Sequence, residues 1–277
     1  MRADAWLLDV TEESDPGAAD LTPLDAHERE RAAAFRRPVD RHLYTVAHLA
    51  LRTLLAGLLG ARPADLVFGR EPCPCCGAPH GRPVLATPGP PPLHFSLSHT
   101  PGLVLVATAP VPVGADVEHR PAPASVRDLV SVLHPRERAE IEGEPEGEPR
   151  AAALGRIWAR KEAYLKGLGT GLGRDPALDD LGGDPVREPG RHPEGWAVRD
   201  LLCGPRHHGA VAVALRTLGP GTKPAPGTGP GPGPGPGFGS ESGSGSAPGS
   251  ASGAEPRLRR FPSLAALRAE PPAPLGE

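Results

Sequence analysis

An α+β fold follows from three observations. Leu93–Ser98 alternates apolar and polar residues, a turn signal at Thr100–Gly102 follows, and Leu103–Ala109 returns as an apolar run, which reads as a β-hairpin. Two stretches, 40–59 and 150–166, carry helical periodicity. Strands and helices mix without a regular strand–helix–strand repeat, which disfavours a doubly wound parallel sheet.

Taken in order, residues 5–10 predict an opening strand and 24–36 a charged helix. Over 40–59, Leu43, Val46, Ala47, Leu51, Leu54, Leu55 and Leu58 recur at helical spacing, and Gly60 sits at the stop. Residues 61–92 hold few regular signals. In the hairpin, Leu93, Phe95 and Leu97 face one way while His94, Ser96 and Ser98 face the other. Val111–Glu118 follows as a strand with Val113, Ala115 and Val117 on its apolar side. Residues 124–142 predict a helix, 142–149 an acidic loop, and 150–166 a helix stopped near Gly167 and Gly169. Residues 195–201 and 209–217 predict late strands. From 218 to 256 the chain turns to low complexity, with runs at 230–237 and 239–253 expected to be disordered; 257–269 predicts a short basic amphipathic helix.

The chain has 277 residues, enough for one large domain or two small ones. Its 38 prolines and 36 glycines crowd the C-terminal third. A net charge of −3 argues against a general nucleic-acid binder, although Glu28–Arg41 is rich in arginine. The N-terminus lacks the apolar region of a signal peptide. The stretch from Leu49 to Gly60 is too short to span a bilayer and carries Arg52. A cytoplasmic protein with reduced cysteines and no membrane partner is the expectation.

The residues that bear chemistry fall in two short motifs. Gly114-Ala-Asp-Val-Glu118 lies on a predicted strand, where Asp116 and Glu118 point to the same side. Trp158-Ala-Arg-Lys-Glu-Ala-Tyr-Leu-Lys166 lies on a predicted helix, where Trp158, Glu162 and Lys166 form one stripe. Lysine is otherwise rare: of three, Lys161 and Lys166 lie here and Lys223 lies in the low-complexity segment. Three carboxylates and an amine meeting in one cleft would hold a hard divalent cation against a phosphate. Each motif alone also reads as a solvated strand face or an ordinary i,i+4 ion pair of about 0.2–0.5 kcal/mol.

In this order and spacing the two motifs resemble the 4′-phosphopantetheinyl transferases of the Sfp type, whose pattern is G-[IVA]-D-[VI]-E followed by W-x-x-K-E-[AS]-x-x-K. Every fixed position is present. The similarity extends to Gly81-Arg82-Pro83 and Ser98-His99, and to Arg31, Phe35, Asp40 and Arg52, covering roughly residues 5–217. The family often has lysine where Arg82 stands; arginine keeps the charge and changes its geometry.

The resemblance implies two similar α+β halves packed as a pseudo-dimer: an N-terminal half (1–110), a C-terminal half with the metal site (111–218) and a tail (219–277) whose removal should change little. It implies that Asp116, Glu118 and Glu162 bind the magnesium ion bridging the pyrophosphate of coenzyme A. Lys166 would contact a phosphate and offset charge on the leaving group; Ser98 and His99 would hold phosphates. Arg31 and Arg82 would approach the 3′-phosphate, Lys161 would join the coenzyme-binding set, and Trp158 would orient its helix. The implied reaction moves phosphopantetheine to a serine of an acyl or peptidyl carrier protein serving polyketide, non-ribosomal peptide or fatty-acid synthases, with the chain acting as a monomer. Catalytic duties would fall to Lys166 and Glu162, the base being Glu162 or a metal-bound water that it holds.

Cys73-Pro-Cys-Cys-Gly-Ala-Pro-His80 stands apart from this pattern. Cys73, Cys76 and His80 have zinc-ligand spacing. A fourth ligand beyond Cys75 would have to come from Cys203 or His207. Two readings are open: a plain thiol-bearing loop, or a non-enzymatic zinc-stabilised interaction module.

Overall fold

The computed structural model describes residues 3–11, 20–86, 92–184, 187–188, 190–215 and 256–275. The expected disorder of the low-complexity segment falls almost wholly on 216–255, outside the described residues.

The chain opens with strand β1 (Asp4–Asp9) and helix α1 (Ala26–Ala33), whose start is fixed by a reciprocal capping box between Asp25 and Glu28. Helix α2 (Pro38–Leu59) follows, begun by proline and ended by Gly60 at φ 62°. It is long and apolar enough to cross a membrane, yet its apolar stripe packs on β1 and β5, as expected of a core helix. The stretch with few signals contains a small hairpin, β2 (Phe68–Arg70) with β3 (Pro83–Leu85). Strands β4 (His94–Thr100), β5 (Leu103–Ala109) and β6 (Val113–His119) stand where the alternation places them.

The helix predicted over 124–142 is broken into α3 (Val126–Val130) and α4 (Pro135–Gly143). Pro135 cannot continue a preceding helix and instead starts a new one, capped by His134 and Glu137. Helix α5 runs Glu148–Leu168, taking in the end of the expected acidic loop, and stops at Gly169 with φ 80°. Strands β7 (Trp196–Leu201) and β8 (His207–Ala214) complete this half.

Residues 257–269 depart from expectation. They form strand β9 (Arg257–Phe261) and helix α6 (Leu264–Ala269), divided at Pro262 and capped by Ser263. β9 pairs parallel to β1, and Leu264 and Leu267 bury in the core under α2. The end of the chain is thus part of the N-terminal sheet, not an appendage.

Besides the two-stranded β2–β3 ribbon, the described residues form two larger sheets, β4-β5-β1-β9 and β6-β8-β7. In each, a first strand is followed by helices and then a hairpin, and the first strand pairs antiparallel with the second strand of that hairpin. The run Leu103–Ala109 is buried throughout because its sheet is covered on both sides. Val104 and Val106 join Trp6 and Leu8 against α2, whereas Leu103, Leu105 and Ala107 join Leu7 against β6, β8 and α5. The sheets meet where β4 runs beside β6: the backbone N–H groups of Ala115 and Val117 donate to Ser96 Oγ (2.9 Å) and Ser98 Oγ (3.3 Å). That explains why the polar face of the hairpin, Ser96, Ser98 and Thr100, is buried.

Candidate active site

The site forms where α5 crosses β6. Gly114 makes that crossing close: a Cβ there would run into the Ala163 carbonyl and the Gly167 amide. The crossing sets Lys166 beside Asp116. Lys166 Nζ lies 2.5 Å from Asp116 Oδ1 and 3.1 Å from Ser98 Oγ. Ser98 Oγ donates to the same Asp116 oxygen at 2.9 Å. Asp116 is 1% exposed, and its other oxygen, Oδ2, has no hydrogen-bond partner among the described residues. A buried, half-satisfied carboxylate is costly and calls for a cation.

Glu118 and Glu162 stand half-buried beside it. Burial pushes Glu118 up to about 7, and the charges of Asp116 and Glu162 add to the shift against the opposing pull of Lys166. Burial likewise raises Glu162, with Lys166 opposing and Asp116 adding. Glu118 thus feels Asp116 and Glu162, and Glu162 feels Asp116, the pattern of a site built for positive charge.

Alongside lies a cleft of about 820 Å³ lined by Arg31, Arg82 and Lys166, among others. Arg31 is exposed on its wall. Arg82 is held rigidly: two of its nitrogens bond Glu71 Oε2 (2.9 and 2.6 Å) and a third donates to the Gly167 carbonyl at 3.0 Å. His99 is half-buried, and its pKa is depressed by burial and then by the nearby His48 and Lys166.

Two expected roles change. Ser98 donates one hydrogen bond and accepts from the Val117 amide and Lys166, so its hydroxyl is filled and orients Asp116 rather than standing free for a phosphate. Lys161 leaves the coenzyme-binding set: it is fully buried, paired with Glu137 Oε1 at 2.8 Å and bonded to the Asp179 carbonyl. Five residues of helix turn it about 140° from Lys166, onto the opposite face. Arg52 is also fully buried, bonding Glu28 and Asp25 and two carbonyls, with its guanidinium 4.9 Å from the Phe68 ring centroid; it holds α1 to α2. Trp158 packs against the cluster around Leu133 and Leu154, as expected.

The cleft also contains residues that the motifs do not flag. Tyr44 and His48 stack at 4.1 Å, and His48 Nδ1 meets Glu28 Oε1 at 2.9 Å. Tyr44, His48 and Arg52 recur every four residues, a polar stripe that borders the apolar one. Of the cysteine cluster, Cys73, Cys76 and His80 come together; Cys203 is buried against Gly209, and His207 points to the Pro101 carbonyl.

Known proteins are similar to this chain in sequence. The family model described as the 4′-phosphopantetheinyl transferase superfamily matches residues 112–199, which include β6 and α5. A phosphopantetheinyl transferase of Thraustochytrium sp. is 30% identical over 186 residues, 61% of this chain and 62% of its own length. A 4′-phosphopantetheinyl transferase of Bacillus subtilis is 24% identical over 152 residues, 55% of this chain and 63% of its own. The chain thus spans just under two thirds of each of these two proteins. The 4′-phosphopantetheinyl transferase HetI of Nostoc sp. is 30% identical over 199 residues, 69% of this chain and 78% of its own length. With that coverage and with the family pattern lying on the two elements that build the site, the chain belongs to the 4′-phosphopantetheinyl transferase superfamily.

Proposed function

We propose that the protein is an Sfp-type enzyme that transfers the 4′-phosphopantetheine group of coenzyme A to a serine of acyl or peptidyl carrier proteins, releasing 3′,5′-ADP. The observation that carries this reading is the unpartnered, buried Oδ2 of Asp116 flanked by two carboxylates with raised pKa values.

That donor set fits magnesium, which takes oxygen ligands and retains waters and substrate phosphate. Asp116, Glu118 and Glu162 would hold it. When bound, the ion supplies charge neutralisation at the pyrophosphate. The remaining work falls to side chains. Lys166 sits close enough to Asp116 to follow a phosphate oxygen into the site and offset charge on departing 3′,5′-ADP. Arg31 and Arg82, on the wall of the cleft, bind the 3′-phosphate. Glu162, its pKa raised by burial, takes the proton of the attacking serine hydroxyl. The serine oxygen bonds to the β-phosphorus as the bond to 3′,5′-ADP breaks, so catalysis rests on positioning and neutralisation. His99 stays neutral near pH 7 and lies beside Lys166, where it contacts a phosphate as a hydrogen-bond donor.

The repeated strand–helix–hairpin topology supports reading the fold as a pseudo-dimer; that it acts as a monomer in the cytoplasm is part of the same proposal. The test is intact-mass spectrometry of apo carrier proteins incubated with coenzyme A and magnesium. A gain of one phosphopantetheine group is expected, and it should vanish with Asp116→Ala or Glu162→Gln. No gain across carriers from all three synthase types would overturn the reading.

A further inference from the structure

Residues 71–80, the part of the β2–β3 connection that precedes Arg82, take no part in the proposed transfer, yet they carry three side chains of metal-ligating type. The ligand atoms of Cys73, Cys76 and His80 all lie within 4.8 Å of one another, and Cys76 Sγ is 3.0 Å from His80 Nε2. The backbone is wound to bring them there. Gly77 donates to the Cys73 carbonyl at 2.8 Å with φ 77°, a left-handed conformation that glycine adopts freely. Cys73 N donates to the Ala78 carbonyl at 2.8 Å, and the amides of Cys75 and Cys76 turn towards the Cys73 sulfur.

Little else holds this loop. From Glu71 to His80 the only buried residue is Cys73. The residues that follow nevertheless need an exact position. Gly81 lies so close to the Glu71 carbonyl that a Cβ would approach it to 2.6 Å, and Arg82 bridges Glu71 and the end of α5. His80 and Arg82 both line the cleft.

We propose that Cys73, Cys76 and His80 bind a zinc ion that pins this loop and thereby sets the cleft wall carrying Arg82. Two thiolates and an imidazole select zinc over magnesium or calcium, and a water completes the tetrahedron. Cys75, exposed and outside the three-ligand group, takes no part, and neither does buried Cys203.

The test is elemental analysis of untagged protein purified without chelator. One equivalent of zinc per chain is expected. Cys76→Ser and His80→Ala should each lose at least nine tenths of it, while Cys75→Ser and Cys203→Ser keep it. Cobalt exchanged into the wild type should give a sulfur-to-cobalt charge-transfer band that Cys76→Ser abolishes. His80 is exposed, so His80→Ala remains informative if the cysteine variant does not fold. Wild type that retains less than a tenth of an equivalent after zinc addition and desalting would overturn the proposal. So would full zinc in Cys76→Ser/His80→Ala, or a Cys73–Cys76 disulfide in freshly isolated protein. None of these readouts depends on transfer activity.

Discussion

Lys166 Nζ and Asp116 Oδ1 stand 2.5 Å apart, one from the last turn of α5 and one from the middle of β6. The pair is asymmetric: the lysine side chain is 31% exposed and the aspartate 2%. Lys166→Ala therefore leaves a buried carboxylate whose one remaining side-chain hydrogen-bond partner among the described residues is Ser98. Fully buried pairs cost about 3–5 kcal/mol to break; solvent at Lys166 brings the expected loss to about 2 kcal/mol. Urea denaturation should show that loss, and Lys166→Met/Asp116→Asn should recover most of it. Transfer should fall about a hundredfold or more in both variants, since neither restores the charge.

The acidic cluster makes the metal-free protein sensitive to pH. Glu118 ordinarily titrates at 4.5, and in the fold it titrates at about 7. The folded state binds this proton more tightly than the unfolded chain, so the associated stability is complete below about 4.5 and is lost as pH rises through about 7. Glu118→Gln cannot ionise and should keep that stability. Its melting temperature should exceed that of the wild type at pH 8 in the presence of chelator and match it at pH 4.5. A wild-type curve that falls in parallel with Glu118→Gln between these limits would contradict the assignment.

The closeness of α5 to β6 depends on Gly114. Gly114→Ala would force its methyl into the Ala163 carbonyl and the Gly167 amide, both backbone groups that cannot rotate away. The helix must shift, taking Glu162 and Lys166 from Asp116. Transfer should drop by at least about a hundredfold, because misplacement of about 1 Å costs that much. Gly143→Ala, with nothing within 4 Å of the added carbon, is the control and should leave melting and activity unchanged.

Much of this site is legible in the sequence because its period is local. Asp116 and Glu118 share a strand face by twos, and Glu162 and Lys166 share a helix face by fours, so the motifs already determine what lies together within each element. Between elements the sequence is silent. That Ser98 would be spent on Asp116 depends on β4 lying beside β6, a contact across the two sheets. That Lys161 turns away from Lys166 could be read from its angle on the helix, but its partner Glu137 lies on α4, whose start the sequence blurs into one long helix. The end of the chain misleads for a composition reason: the segment 216–255 has the makeup of a linker, and it hides the strand beyond it.

Lys161 and Glu137 form a pair at 2.8 Å with neither side chain exposed, and Glu137 also accepts from the Leu181 amide at 2.7 Å. This is the full-burial case that Lys166 is not. Lys161→Met should destabilise the fold by about 3–5 kcal/mol. Lys161→Met/Glu137→Gln should recover a large part, since no charge is left unpaired. Because Lys161 stands away from the cleft, the folded fraction of either variant should keep its affinity for coenzyme A in calorimetry. A loss of affinity without a loss of stability would return Lys161 to the binding site.

The C-terminal elements give the last prediction. Leu267 of α6 is fully buried in the core beneath α2, and β9 extends the sheet through parallel pairing with β1. Removing a buried leucine side chain costs about 2–5 kcal/mol through lost transfer energy and the cavity left behind. Leu267→Ala should lower the denaturation midpoint accordingly, although it lies far along the sequence from either motif. Truncation after residue 215 removes both elements, uncovers the apolar surface of α2 and strips β1 of a partner, so that form should be less stable than Leu267→Ala and prone to aggregate. Exposed Leu275 supplies the contrast: Leu275→Ala should change the midpoint by no more than about 0.5 kcal/mol equivalent. Equal behaviour of the truncated and full chains in denaturation would mean that β9 and α6 do not belong to the core.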